Sequence, residues 1–97
     1  MSVLKWIEKW YQSNCGADWE HVYGVKIETL DNPGWKVSID LADTPLKGKV
    51  FEKVDVDNGD DWIMCRAVND IFDGAGDPFK LEEILKIFKE WAESQNL

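Results

Sequence analysis

The sequence is poor in the residue types on which most catalytic and metal sites depend. Its 97 residues include two cysteines, Cys15 and Cys65, and one histidine, His21. It contains no Cys/His spacing typical of a zinc site, no phosphate-binding glycine loop and no dinucleotide-binding motif. Two isolated cysteines also do not make a disulfide framework. These absences weigh against a metal or nucleotide enzyme, and we expect no cofactor.

Long hydrophobic runs and an excess of basic residues are missing as well. No stretch approaches the ~18 apolar residues that suggest a membrane-spanning helix. The opening segment, MSVLKWIEKWYQ, alternates charged and apolar side chains instead of forming a signal sequence. Eleven Lys and Arg residues stand against 19 Asp and Glu residues, a net charge of −8. We therefore expect a soluble, cytoplasmic, acidic protein that binds neither nucleic acid nor anionic membranes.

The chain does have enough apolar surface to build one hydrophobic core. Hydrophobic residues make up 44% of the sequence and include six tryptophans. Disordered chains lack such residues, so a folded chain is expected. Its length predicts a single domain over residues 1–97.

Helical periodicity marks both ends of the chain. Residues 2–14 place apolar side chains at i, i+3, i+4 and i+7, with Ser2 as the N-cap and Gly16 beyond the end. Asp77-Pro78 predicts the start of a second helix, because Asp suits a cap and Pro the first helical position. The apolar stripe of that helix is formed by Leu81, Ile84, Leu85, Phe88, Trp91 and Ala92.

The residues between the helices predict antiparallel hairpins. Alternating or short apolar segments indicate strands over residues 21–30, 35–41, 49–57, 60–68 and 71–74. Asn58-Gly59 is the strongest short hairpin signal. A two-residue turn there predicts a register in which Asp57 faces Asp60 and Val54 faces Ile63.

That register predicts two different faces of the sheet. One face carries small and branched side chains, namely Val50, Val54, Val56, Ile63, Cys65 and Ala67. Such a face suits the large aromatic side chains of the helices. The predicted fold is therefore α+β, an antiparallel sheet of four to five strands with the N-terminal and C-terminal helices packed on one face. The opposite face is expected to stay uncovered.

Most of the negative charge lies in the central hairpins. Residues 52–77 carry eight acidic and two basic side chains, which accounts for −6 of the net −8. Carboxylates beside exposed apolar groups are typical of a protein-binding surface. The predicted partner-binding residues are Asp55, Asp57, Asp60, Asp61, Trp62, Asp70 and Asp73, with Phe51 and Met64 as secondary anchors. A solvated face or a homodimer contact are the alternatives, and we expect a monomer or a weak homodimer.

Three segments contain residue types that can serve in catalysis or metal binding. Cys15 and His21 lie close enough in sequence for a nucleophile pair, but no oxyanion-binding segment accompanies them. Residues 55–61 resemble a calcium loop only superficially, because strands flank them. The predicted register puts Cys65 in mid-strand on the core side, where a reactive thiolate is not expected. We predict no enzyme; the alternative is a small thiol enzyme, such as a sulfurtransferase, that uses Cys65 or Cys15.

The segment from Asp18 to Trp35, DWEHVYGVKIETLDNPGW, resembles the signature of the immunity protein 53 family. Further similarity lies in Trp6-x-x-x-Trp10-Tyr11, in Asp61-Trp62-Ile63 and in the helix from Leu81 to Trp91. The resemblance implies a bacterial antidote that is encoded beside a polymorphic toxin and that binds and neutralises it. It supplies no catalytic residues.

The charge distribution adds an expectation about that toxin. Many polymorphic toxins are nucleases, whose active sites are basic, and an acidic protein can occupy such a site by imitating phosphate charge. The expected partner is therefore a cognate toxin protein. The nuclease hypothesis comes from charge and not from the family resemblance.

Overall fold

The protein folds as one antiparallel sheet with a helix at each end of the chain. The computed structural model describes residues 1–95. The elements in chain order are α1 (Val3–Ser13), α2 (Trp19–Val22), β1 (Val25–Leu30), β2 (Gly34–Asp40), β3 (Val54–Asn58), β4 (Asp61–Val68), β5 (Ile71–Gly76) and α3 (Leu81–Ser94). The strands are ordered β1-β2-β5-β4-β3 across the sheet. The predicted α+β architecture is confirmed.

The first helix begins where its capping residue predicts. The hydroxyl oxygen of Ser2 accepts a hydrogen bond from the Lys5 backbone N–H at 3.2 Å. Val3 and Ile7 are buried against the core, and Trp6 and Trp10 lie edge-on to the ring of Phe88 in α3. The N-cap therefore sets where α1 begins, and its apolar stripe packs the helix against α3.

The predicted strand over residues 21–30 begins four residues late. Its first part is instead the end of α2, a single helical turn held by Trp19. The Trp19 side chain is buried; its indole N–H donates to the Ala42 carbonyl at 3.0 Å, and its ring packs on Trp10 and Tyr11. The packing of the Trp19 indole thus outweighs the alternating pattern that predicted a strand from residue 21 onward.

The predicted register of the central hairpin is wrong, because each residue of β3 pairs two residues further along β4 than predicted. Val54 pairs with Cys65 and Asn58 with Asp61, so that Gly59 and Asp60 form the turn. Gly59 has φ +80°, whereas Asn58 is not left-handed, and a glycine at the first central position is the pattern of a type II′ turn. Because each partner shifts by two residues, every side chain stays on its predicted face.

The segment before β3 is not a strand, although residues 49–57 were predicted as one. Val50 is 86% exposed, and its carbonyl accepts a hydrogen bond from the Trp91 indole N–H at 2.8 Å. Phe51 packs edge-on against Phe72 and Trp91. The placement of Val50 on the core face of the sheet is therefore wrong, and Phe51, predicted as a secondary anchor for a partner, packs inward, because this segment runs across the helix side of the domain.

The core lies between the helices and one face of the central strands. Gly74 of β5 sits directly beneath α3, where an added Cβ would come 2.5 Å from Ile84 Cγ2. The fully buried large side chains are Val37, Ile39, Leu46, Cys65, Phe72, Ile84, Leu85 and Phe88. On the other face none of the side chains that β2, β4 and β5 present is buried. The expectation of one covered and one open face is met.

Candidate functional site

The turn between β3 and β4 carries the densest group of carboxylates. Asp55, Asp57, Asp60 and Asp61 are all exposed. Asp57 also shapes the turn, since its Oδ1 accepts the Gly59 N–H at 3.0 Å. Among the described residues, Asp55 pairs with Lys53 at 3.6 Å and Asp61 pairs with Lys80, whereas Asp57 and Asp60 have no ion pair. The tip of the hairpin therefore presents uncompensated negative charge.

A buried carboxylate holds the neighbouring segment against this hairpin. Asp77 is 2% exposed; its Oδ2 accepts the Trp62 backbone N–H at 2.9 Å, and its Oδ1 accepts the Phe79 N–H at 2.9 Å. The prediction that Asp77 caps α3 is wrong, because α3 begins at Leu81. Asp77 instead closes a turn of its own between β5 and the helix.

Lys80 links the buried and the exposed carboxylates. Its ammonium donates to Asp77 Oδ2 at 2.8 Å and also pairs with Asp61, while its side chain is only 18% exposed. The hydrogen bond from Lys80, with that from the Phe79 N–H, lowers the pKa of Asp77 to about 2. The hydrogen bonds to Asp61 and Asp77 raise the pKa of Lys80. Asp77 and Lys80 therefore stay charged at neutral pH.

Aromatic and proline side chains border the same turn. Phe79 is 92% exposed, and Trp62 is half-buried. Together with Pro33, Pro78 and Asp60 they surround a shallow depression of about 440 Å³. Around this depression lies the acidic end of the domain, formed by Asp57, Asp60, Asp61, Trp62 and Phe79.

The other predicted contact residues lie elsewhere. Met64 is on the open face beside Asp55, with which it pairs across β3 and β4. Asp73, also on that face, lies 3.5 Å from Arg66. Asp70 occupies the β4–β5 turn at the opposite end of the hairpins, and Phe51 is partly buried against the core. The structure thus brings together Asp55, Asp57, Asp60, Asp61 and Trp62, with Met64 beside Asp55, whereas Asp70, Asp73 and Phe51 lie apart from the turn.

Two residues of this region were missed in the sequence. Phe79 falls outside the apolar stripe of α3, and that mismatch was the available signal that its ring is exposed. Lys80 carried no such signal, because its pairing with Asp61 depends on how the β5–α3 segment folds back on β4. Both follow from Asp77, whose hydrogen bonds span 15 residues of sequence.

The cysteines do not form a reactive site with the other candidate groups. Cys65 is fully buried, and burial, with the charges of Asp73 and Glu83, raises the pKa of its thiol to about 12. Cys15 is half-buried, and its Sγ donates to the Tyr11 carbonyl at 3.3 Å. His21 is exposed and lies 3.9 Å from Glu20, not beside the Cys15 thiol. A thiolate nucleophile at Cys65 would need a pKa far lower than this one.

Within residues 1–95, no group of three or more Cys, His, Asp or Glu side chains is arranged to hold a metal ion. No helix in that part of the chain is long and apolar enough to cross a membrane.

These features define a small antiparallel α+β domain whose exposed acidic and aromatic side chains are of the kind that contact other proteins. The sequence matches the family Immunity protein 53 over residues 4–93. The chain therefore belongs to the immunity protein 53 family, as the Asp18–Trp35 segment predicted, and this membership supports an immunity function. Comparisons with curated proteins and with solved structures gave no match.

Proposed function

We propose that the protein neutralises a cognate toxin by covering a basic surface of that toxin with the acidic end. Family membership supports the immunity function. The assignment of the surface rests on one observation: Phe79 is 92% exposed and lines the same depression as Asp60, a carboxylate with no ion pair among the described residues. A large apolar group at the surface of a soluble domain is costly to leave in water, and a partner that covers it gains affinity.

Charge makes a basic toxin surface the best match. Within residues 1–95, Asp57 and Asp60 at the turn have no ion pair, so they attract a positive surface over several ångströms and speed association. A nuclease active site has such a surface, because it binds phosphate groups. A nuclease is therefore the class of toxin we propose.

The acidic end is stiff enough to bind without rearrangement. Asp77 fixes the backbone on both sides of the depression, at Trp62 and at Phe79, and Lys80 restrains Asp61. A surface already held in one geometry loses less conformational entropy on binding. Phe79 and Trp62 then serve as apolar anchors, with the carboxylates around them.

The test uses the toxin domain encoded by the gene directly upstream. Asp57→Asn with Asp60→Asn removes two charges but keeps a side-chain oxygen for the Gly59 N–H. The matched control, Glu90→Gln with Glu93→Gln, removes two charges from exposed positions late in α3. We expect association at low salt to slow roughly tenfold in the first variant only, with weaker rescue of toxin-expressing cells.

Equal association rates in both variants would show that the acidic end is not the contact surface. If the wild-type protein itself does not rescue cells that express this toxin, the toxin is not its partner. The first result tests the contact surface, and the second tests the immunity function.

A further inference from the structure

The first strand, β1, leaves one long edge of the sheet unpaired. It lies at the end of the strand order, and the helix layer stops short of it, since Ile27 on the helix side is 42% exposed. Lys26, Glu28 and Thr29 are exposed as well. An exposed edge strand offers free backbone groups to another strand.

The hydrogen bonds of β2 establish which residues of β1 point off the edge. The Asp40 N–H donates to the Gly24 carbonyl at 3.1 Å, so the even-numbered residues of β1 bond to β2. On the side of β2 that faces β5, the Leu41 N–H donates to the Asp70 carbonyl at 2.8 Å. The odd-numbered residues of β2 therefore bond to β5, which leaves its even-numbered residues to bond to β1. The backbone N–H and C=O groups of Val25, Ile27 and Thr29 therefore point outward.

The charges on β1 select one way of pairing the strand with itself. An antiparallel register centred on Ile27 bonds Ile27 to Ile27 of the second copy and Val25 to Thr29 of the second copy. On the open face it then sets Lys26 opposite Glu28 of the second copy, twice. Registers centred on residue 26 or 28 place like charges opposite each other, which is destabilising.

The other edge of the sheet excludes the same arrangement. The outward residues of β3 include Asp55 and Asp57, because Val54 and Val56 pair with the bonded positions of β4. Symmetric antiparallel pairings of β3 centred on Asp55, Val56 or Asp57 set aspartate against aspartate. Charged edges of this kind hinder strand addition, so β1 is the edge whose charges better complement themselves.

We propose that β1 pairs with β1 of a second copy of this chain, about a twofold axis through Ile27, to form a dimer with a continuous ten-stranded sheet. The helices of both copies lie on the same side, and the exposed Ile27 side chains meet there. The contact is one strand long and smaller than a standard interface, so the dimer is expected to dissociate in the micromolar range or above.

This dimer is independent of the proposed function. The carboxylates of the acidic end lie on β3, β4 and the turn between them, at the sheet edge opposite β1, and the depression beside them reaches the β1–β2 turn only at Asn32 and Pro33. A dimer through β1 therefore leaves both acidic ends free, and a complex with toxin is expected to contain two copies of each protein.

The test is a charge swap measured by sedimentation equilibrium of the full chain, at low salt and up to about 1 mM protein. Lys26→Glu and Glu28→Lys each place like charges opposite each other, so each should weaken the dimer at least tenfold. The double variant Lys26→Glu/Glu28→Lys restores opposite charges and should recover dimerisation. Lys49→Glu and Glu90→Lys, at exposed positions away from β1, are matched controls that should leave it unchanged.

A second variant tests the backbone contacts. Ile27→Pro removes an N–H that points outward, so the bonds of β1 to β2 remain, as circular dichroism should show, while the dimer is lost. A wild-type protein that stays monomeric up to about 1 mM, or a double variant that fails to recover dimerisation, would overturn the proposal. So would a dimer that tolerates Ile27→Pro, because its interface would then lie elsewhere. Weakened toxin binding by Ile27→Pro in a monomeric protein would assign β1 to the toxin instead.

Discussion

The Asp77 carboxylate accepts the backbone N–H of Trp62 at 2.9 Å and so joins β4 to the segment that leads into α3. Its second oxygen accepts the N–H of Phe79 at 2.9 Å. One buried side chain therefore positions both aromatic residues of the acidic end. The geometry of an exposed surface depends here on a carboxylate that solvent does not reach.

Asp77→Asn should make the protein less sensitive to acid. The pKa of Asp77 is lowered from 3.8 to about 2 in the folded protein, so its charged form stabilises the fold above pH 4. That contribution is lost as the pH falls from about 4 to about 2. The variant lacks it at every pH and should be less stable at pH 7, with a flatter profile below pH 4.

The measurement is the urea midpoint of unfolding at pH 7, 4 and 2.5 for the wild type, the variant and a control. Asp31→Asn serves as the control, because Asp31 is exposed and accepts no hydrogen bond from the described residues. If the wild type and Asp77→Asn lose stability equally on acidification, the role assigned to Asp77 is wrong.

Much of the fold was predictable because its signals are periodic. The helical stripe from Ile84 to Ala92 and the alternation around Ile39 record which side faces the core. The two faces of the central hairpin were predicted correctly although its register was shifted by two residues, because side chains alternate with a period of two. The periodic pattern therefore predicts which face of the sheet a side chain lies on, even where it does not predict the residue that it pairs with on the next strand.

The acidic end was only partly predictable because it depends on contacts between distant segments. Its three carboxylates, Asp57, Asp60 and Asp61, are close in sequence, so their clustering follows from one hairpin. Phe79 and Lys80 join them only because Asp77 folds the β5–α3 segment back onto Trp62. Phe51 was misplaced for the same kind of reason, since the Trp91 indole draws its segment to the helix side.

Gly74→Ala should destabilise the fold by about 1–3 kcal/mol, because the new methyl group overpacks the contact with α3. An added Cβ would lie 2.5 Å from Ile84 Cγ2. Gly24→Ala is the matched control, since nothing lies within 4 Å of its Cβ position, and it should change the free energy of unfolding by less than about 0.5 kcal/mol. Chemical denaturation measures both. Equal effects would show that α3 does not rest on Gly74.

Cys65 should resist alkylation in the folded protein. Burial raises the pKa of its thiol to about 12 and closes access to it, whereas Cys15 is only half-buried. Mass spectrometry after iodoacetamide treatment at pH 8 should find label on Cys15 alone, and on both cysteines in guanidinium. The Cys15→Ser variant isolates the rate at Cys65. A rate in the folded state close to the rate in guanidinium would make Cys65 accessible and revive the thiol-enzyme hypothesis.

Phe79→Ala should weaken toxin binding without weakening the fold. The ring is 92% exposed, so its removal should change the free energy of unfolding by less than about 0.5 kcal/mol. In the proposed complex the same ring would lose its contact with water, and truncating such an anchor typically costs about 2 kcal/mol or more of binding free energy. Val50→Ala is the matched control, because Val50 is 86% exposed but lies outside the acidic end. Calorimetric titration of each variant with the toxin domain measures the difference, and equal affinities for both variants would remove Phe79 from the contact surface.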